Sequence, residues 1–429
     1  MQKIKINNTG EVLYTETLDN GLKILMVPNY KVKNFYLTIN TKFGSIHTDF
    51  KFNGKNFKLP KGTAHFLEHL LFNMPDGSSA HDYFSQIGSN VNAFTSYDVT
   101  CYEVYANNKF KENLSYLLKF VYTPYFTKEL VNGEKGIITE EIKMISDNPA
   151  SEIVYGLFRN VFIKDERQYL ISGTIEDIKK MTSEDLNTAY EAFYHPENMF
   201  LIITGNFKPE EAVAITINTM KEMEFSEYIK PVLKTIKEPS KVKNEYAEKE
   251  MPVDKEKVTV CLKIPKNNFK SLKLTDLELR LYINLIMRIN FGSTSLLKEE
   301  LLSGGIITTS ISTYLIATDE YLVQAIMVAT EYPDYFIKRV KDTLQNLIIT
   351  EEEITRKVKS SISSLIMSFD DIEIVNNDIQ EDIINYGSYI TDMISLYRKL
   401  NMETAQKVLG KLNKNISAIH ILKPKSQQN

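Results

Sequence analysis

Residues 65–69 read His65-Phe66-Leu67-Glu68-His69, inside the run GTAHFLEHLLFN at 62–73. On a helix, residues four apart lie one turn apart on the same face. The imidazoles of His65 and His69 can therefore reach one metal ion. Glu68 lies on the flank of that face, where its carboxylate can reach a water on the ion without being a ligand itself. Imidazole nitrogen suits a borderline ion such as zinc, and a carboxylate beside an activated water is the group that takes its proton. The same stretch also reads as a buried amphipathic helix, because Phe66, Leu67, Leu70, Leu71 and Phe72 are apolar. Packing accounts for those residues but not for two histidines and a glutamate among them, since buried charge is costly unless it is paired or bound to metal. The spacing is that of the inverted H-x-x-E-H motif. A catalytic zinc site needs one more protein ligand and an open position.

The elements that must hold this motif can be read in order. Residues 12–28 give two strands around Asp19-Asn20-Gly21, and 34–44 alternate as a third strand. A polar loop over 50–61 delivers the chain to the motif helix, with Thr63 in its N-cap region. A short helix over 81–88 follows, then strand over 91–106, rich in Thr, Tyr, Val and Phe. Helices are expected over 109–122 and 127–147, the second stopped at Asn148-Pro149. Another is expected near 151–163. Thr182 or Ser183 caps a helix reaching Tyr194, and 199–204 is a buried strand. Residues 226–248 are rich in Lys, Glu and Pro without a sustained period, which reads as a linker. The second half then repeats the first. A strand over 257–264 and a helix over 274–289 precede Gly292–Leu302, which echoes Gly77–Ile87. Strands over 308–317 and 321–328, helices over 332–350, 352–369 and 375–386, and a last strand over 418–422 complete it. One fold used twice, with the metal pattern kept only in the first copy, is the expectation, divided as domains 1–225 and 249–429 around the linker 226–248.

The 429 residues exceed one ordinary core. A net charge of −4 argues against nucleic acid or an anionic membrane surface as the main partner. The two cysteines, Cys101 and Cys261, stand far apart in apolar runs and read as core thiols in a reducing compartment. No run of about 18 apolar residues offers a membrane span, and the first residues lack an apolar leader core. A cytoplasmic location is expected. His47, His81 and His420 have no partner at ligand spacing and read as surface or packing residues.

The helix over 127–147 offers Glu134, Glu140 and Glu141 as third ligands. The order Glu134-Lys135-Gly136-Ile137-Ile138-Thr139-Glu140-Glu141-Ile142 resembles the second motif of the pitrilysin, insulysin and mitochondrial processing peptidase family of zinc metallopeptidases, and the likeness extends over nearly the whole chain. In that family the ligand lies seven residues after the first Glu. The resemblance thus implies one Zn²⁺ per chain on His65, His69 and Glu141, with Glu68 as general base and Glu134 as the carboxylate behind a ligand imidazole. Glu140 points about 100° away from Glu141. The gap from His69 to Glu141 is a few residues shorter than the family's. Asn92-Ala93-Phe94-Thr95, with Thr100 and Tyr102, resembles the family's active-site edge strand, on which substrate peptide adds in β fashion; a merely structural sheet edge is the other reading. Tyr194-His195-Pro196-Glu197-Asn198 resembles the domain-ending turn, which makes His195 a turn residue and not a ligand.

The resemblance implies an α+β fold, with two homologous domains, each a mainly antiparallel sheet with helices on one face, forming one lobe of a clam-shaped dimer around small or unfolded peptide. It also exposes a departure. The family's Arg and Tyr of the C-terminal half fall by register near Leu302 and Thr308, and neither matches. In two-chain members one chain holds zinc and the other supplies that pair. The bacterial two-chain branch is the nearest likeness, and the expectation is a zinc-bearing subunit whose partner is a paralogue lacking the zinc motif. A catalytically inactive scaffold of the same fold, or a homodimeric peptide-degrading protease, are the alternatives.

Overall fold

The structure is a computed structural model that describes residues 1–425. The chain forms two compact units, and each is assembled from more than one stretch. The first holds Met1–Ile142, Leu170–Thr235 and Leu365–Met393, and the second Lys143–Tyr169, Ile236–Ser364 and Ile394 onward.

The first unit is built on a seven-stranded sheet. Its order is Gln2–Lys5, Val12–Thr17, Lys23–Pro28, Met199–Gly205, Phe35–Thr41, Thr100–Ala106 and Asn90–Thr95. Neighbours run antiparallel except Lys23–Pro28 with Met199–Gly205, which are parallel. The two central strands Phe35–Thr41 and Met199–Gly205 are buried along their whole length, as strands covered on both faces must be. One face carries the main core, into which Phe66, Leu67 and Leu70 of the helix Thr63–Leu70 and its C-cap Leu71 are packed.

The other face is where sequence alternation misleads. Thr38, Asn40 and Thr204 sit on it, and polar residues alternating in a strand ordinarily face water. All three are buried. The helix Ile372–Tyr386 lies across them: Thr38 Oγ1 donates to Asn376 Oδ1 at 2.7 Å, Thr204 Oγ1 donates to the Ile372 carbonyl at 2.7 Å, and Gln380 donates to Asn40. Leu25, Val27, Phe200 and Ile202 complete the contact with Val375, Ile379 and Ile383. Helices thus cover both faces, one more than the expected one-sided cover.

The second unit has a five-stranded sheet ordered Tyr246–Met251, Ala418–Pro424, Glu256–Pro265, Tyr321–Thr330 and Ser312–Ala317, with one parallel pair at Tyr246–Met251 and Ala418–Pro424. Its core gathers the helices Asp276–Phe291, Pro333–Gln345 and Met402–Lys411. The helix Pro149–Val161 packs on Ala418–Pro424. A helix from each half of the sequence therefore belongs to the unit built mainly from the other half. The expected contiguous division at 1–225 and 249–429 takes no account of this exchange, because an apolar stripe announces a covered helix without naming the sheet that covers it.

Two stretches read as irregular hold strands. Within 50–61, Asp49–Phe52 and Lys55–Lys58 form a hairpin closed by Asn53-Gly54, both at positive φ (47° and 76°); the Asn-Gly pair is the signal for such a turn. Within 226–248, Val232 and Leu233 pair with Lys51 and Phe50. Glu238 is buried, accepts the backbone N–H groups of Ile163, Lys164 and Asp165, and takes the Lys263 ammonium at 2.7 Å. Most of the charged residues in that stretch are exposed, and Glu238 is the one that is buried and paired. Cys101 and Cys261 are free and buried.

Candidate active site

The motif helix starts at Gly62, whose φ of +86° belongs to the left-handed region. A Cβ there would stand 2.4 Å from the Ser172 carbonyl oxygen, so both conformation and space require glycine. Thr63 is not the cap; its Oγ1 donates to the Pro60 carbonyl at 2.6 Å. The helix is fixed from below by four fully buried apolar side chains. His65 and Glu68 retain only 9% and 8% of their exposure.

The long helix Lys128–Asp147 buries Val131, Ile138 and Ile142. Glu134 and Glu141 each follow a buried residue by three positions, which turns both toward the same flank. Glu140 is exposed and stands outside the convergent set.

His65, His69 and Glu141 converge. His65 Nε2 lies 3.4 Å from Glu141 Oε1, and His69 Nε2 lies 3.5 Å from Glu141 Oε2. One donor atom from each residue falls within 4.8 Å of the others, and this is the group among the described residues that could hold a metal ion. Ligands each about 2.1 Å from one tetrahedral ion are about 3.4 Å apart. Two imidazoles and one carboxylate are a donor set of zinc's kind, with the fourth position left open. The residues therefore fit the group that the motif implies. His69 Nδ1 is 2.8 Å from Glu134 Oε1, which directs Nε2 toward Glu141. His65 Nδ1 is buried with no hydrogen-bond partner among the described residues.

The electrostatics follow the layout. The contact with His65 lowers the Glu141 carboxyl against the opposing effect of burial. Burial raises the Glu68 carboxyl, the two imidazoles and the Thr95 hydroxyl oppose that rise, and Glu141 adds to it. Burial works to lower His69, but Glu134 and the neighbouring carboxylates outweigh it and raise the imidazole.

The edge strand Asn90–Thr95 pairs with Thr100–Ala106 along one side, and the sheet order leaves its other side open. Asn92 donates to Glu103 Oε1 at 3.2 Å, and Tyr36 donates to the other Glu103 oxygen. Ala93 packs against the core and Phe94 is half-buried. Thr95 turns to the motif helix, donating to Glu68 Oε2 at 2.5 Å. Sequence reading placed Asn92, Ala93, Phe94 and Thr95 on one edge; it missed that the side chains of Asn92 and Thr95 are engaged within the protein, by Glu103 and Glu68. Strand alternation was the available signal, since odd and even positions must face opposite sides.

The other histidines lie elsewhere. His195 caps the turn Pro196–Asn198 and accepts from the Glu197 N–H. The His47 ring accepts from the Gly44 N–H, and His81 stacks on Phe72. His420 is buried beside Glu152, which Arg159 and Lys249 also meet.

Comparison with known proteins fits this geometry. A zinc protease of Bacillus subtilis described as uncharacterized, YmfH, is 32% identical over 413 residues, which span 95% of this chain and 96% of the relative. The chain belongs to the insulinase family, peptidase family M16. The insulinase (peptidase family M16) profile matches residues 56–170, and the profile of the M16 inactive domain matches 180–361. An uncharacterized zinc protease of Rickettsia felis is 23% identical over 419 residues, 94% of each chain. In fold, this M16 chain is similar to an M16-like peptidase of Alicyclobacillus acidocaldarius, with a TM-score of 0.90, 24% identity and 97% and 99% of the two chains covered. A protease of Helicobacter pylori aligns with a TM-score of 0.79 and 18% identity over 96% and 99%. Among the described residues no helix is long and apolar enough to cross a membrane.

Proposed function

We propose that this chain is a zinc-dependent endopeptidase acting on small or unfolded peptides, and the zinc-bearing subunit of a heterodimer. The observation that carries the hydrolytic reading is the convergence of His65 Nε2, His69 Nε2 and the two Glu141 oxygens at 3.4 and 3.5 Å. These residues would hold one Zn²⁺ per chain. When bound, the ion supplies an electrophile that polarises the scissile carbonyl and acidifies the attacking water.

The rest is the work of the chain's own side chains. Glu134 holds His69 in the tautomer that presents Nε2. Glu68 takes the proton of the attacking water and passes it to the leaving amine. A carboxyl raised by burial is suited to both halves of that transfer. A peptide lying along the open side of Asn90–Thr95 would be held by main-chain hydrogen bonds with little regard to its sequence.

The heterodimer reading is supported by the second copy. Its register places Leu302 and Thr308 where the family's Arg and Tyr stand. A paralogue carrying that pair and lacking the zinc motif would complete the site.

The test is the zinc content and peptidase activity of the purified chain, with and without a candidate paralogue, beside Glu68→Gln. One zinc per chain in both proteins, turnover in the parent and none in Glu68→Gln are expected, with turnover rising when the paralogue is added. A chain that binds no zinc sinks the hydrolytic reading. Full turnover with no gain from any partner sinks the heterodimer.

A further inference from the structure

We propose that Thr95 is a positioning residue for Glu68, tying one carboxylate oxygen so that the other receives the proton. This rests on the reading of Glu68 as the base. It gives Thr95 a task apart from holding substrate on the edge strand.

A threonine hydroxyl has one proton to donate. Thr95 Oγ1 lies 2.5 Å from Glu68 Oε2, and Thr100 Oγ1 lies 3.4 Å away on its other side. Thr100 donates its own proton to the Phe43 carbonyl at 2.8 Å. It therefore neither supplies a proton to Thr95 nor draws one from it at good distance, and the Thr95 proton is directed at Glu68. Beyond these hydroxyls, Tyr102 and Tyr194 bond each other at 2.9 Å. The wall behind the base is thus made of buried hydroxyls already committed among themselves and to backbone.

The two oxygens of Glu68 are consequently unlike. Oε2 is held. Oε1 makes no hydrogen bond among the described residues. The terminal torsion of a glutamate is broad and does not fix the carboxylate plane by itself. A short bond to one oxygen does, and it leaves the lone pairs of Oε1 free. Misplacing a proton acceptor by about 1 Å costs about 100-fold in rate. Thr95 also pairs with Thr100 at the end of the edge strand, so the strand that would receive the peptide also sets the base.

The test uses Thr95→Val, which keeps the shape and removes the proton, and Thr95→Ser, which keeps the hydroxyl. In zinc-loaded protein, Thr95→Val is expected to lower kcat by about 10- to 100-fold with KM unchanged. Thr95→Ser should restore kcat to within a few-fold. Zinc stoichiometry should be the same in all three proteins. Crystal structures should show the Glu68 carboxylate rotated in Thr95→Val and in place in Thr95→Ser. A rise in KM at constant kcat assigns Thr95 to substrate and overturns the proposal. So does a Glu68 carboxylate unmoved in Thr95→Val, whatever the activity. Failure of the base reading itself shows separately, as full turnover by Glu68→Gln.

Discussion

Glu134 Oε1 lies 2.8 Å from His69 Nδ1, while Glu141, two helical turns on, faces Nε2 of the same ring at 3.5 Å. One helix thus grips both nitrogens of one imidazole. The carboxylate behind the ring favours one tautomer, and the one ahead of it faces the candidate metal position. Glu134→Gln should therefore leave the fold intact and weaken zinc affinity by about 10- to 100-fold. Glu141→Gln should abolish stoichiometric binding at the same zinc concentration. Competition with a chromogenic chelator measures both, and equal affinities in Glu134→Gln and the parent would refute the orienting role.

Lys263 is buried on the Glu238 carboxylate at 2.7 Å and also donates to the carbonyls of Val161, Pro239 and Lys241. Glu238 in turn accepts three successive backbone N–H groups. Lys263→Met leaves a buried carboxylate without its cation and is expected to destabilise the second unit by about 3–5 kcal/mol. Urea unfolding followed by circular dichroism reads this directly; a loss below about 1 kcal/mol would mean the pair behaves as a surface one.

A fragment ending at residue 225 lacks the helix Ile372–Tyr386. The apolar side chains Leu25, Val27, Phe200 and Ile202 then lose their cover, and Thr38, Asn40 and Thr204 lose Asn376, Gln380 and the Ile372 carbonyl. The fragment should bind a hydrophobic dye strongly and show a broad, weakly cooperative thermal transition. A sharp transition without dye binding would show that the exchanged helix is dispensable.

Asp378 and Asp382, one turn apart on that helix, are each raised from 3.8 to about 6, Asp378 by burial and the charge of Glu381, Asp382 by burial and its two acidic neighbours against the Ile390 N–H. A carboxyl whose pKa is raised on folding contributes stability that is fully present below 3.8 and is lost as pH rises through about 6. The double variant Asp378→Asn/Asp382→Asn should match the parent in Tm below pH 3.8 and exceed it above pH 6. Tm measured across that window decides, and a constant difference at every pH would count against these groups.

Much of the site was legible because it is local. His65, Glu68 and His69 lie within two turns of one helix, and Glu134 and Glu141 within another. Helical geometry alone fixes which of them share a face, and the family resemblance of the second motif points to Glu141 as the candidate third ligand. Several of the strands and helices, and the end of the long helix at Asn148-Pro149, were likewise written in turn residues and apolar periods.

What only the tertiary structure decided is whatever depends on a neighbour distant in sequence. Thr38 and Asn40 are polar positions of an alternating strand, and they are interior because Asn376 and Gln380, more than 300 residues away, satisfy their polar atoms. The helices Pro149–Val161 and Ile372–Tyr386 look the same in sequence whichever sheet they cover. Thr95 reads as one residue of an edge strand until pairing with Thr100 brings its hydroxyl to Glu68. A sequence states which groups need burial, pairing or a metal; the tertiary fold chooses the partner, because hydrogen bonds and apolar contacts are made through space and carry no mark in the chain of who will answer them.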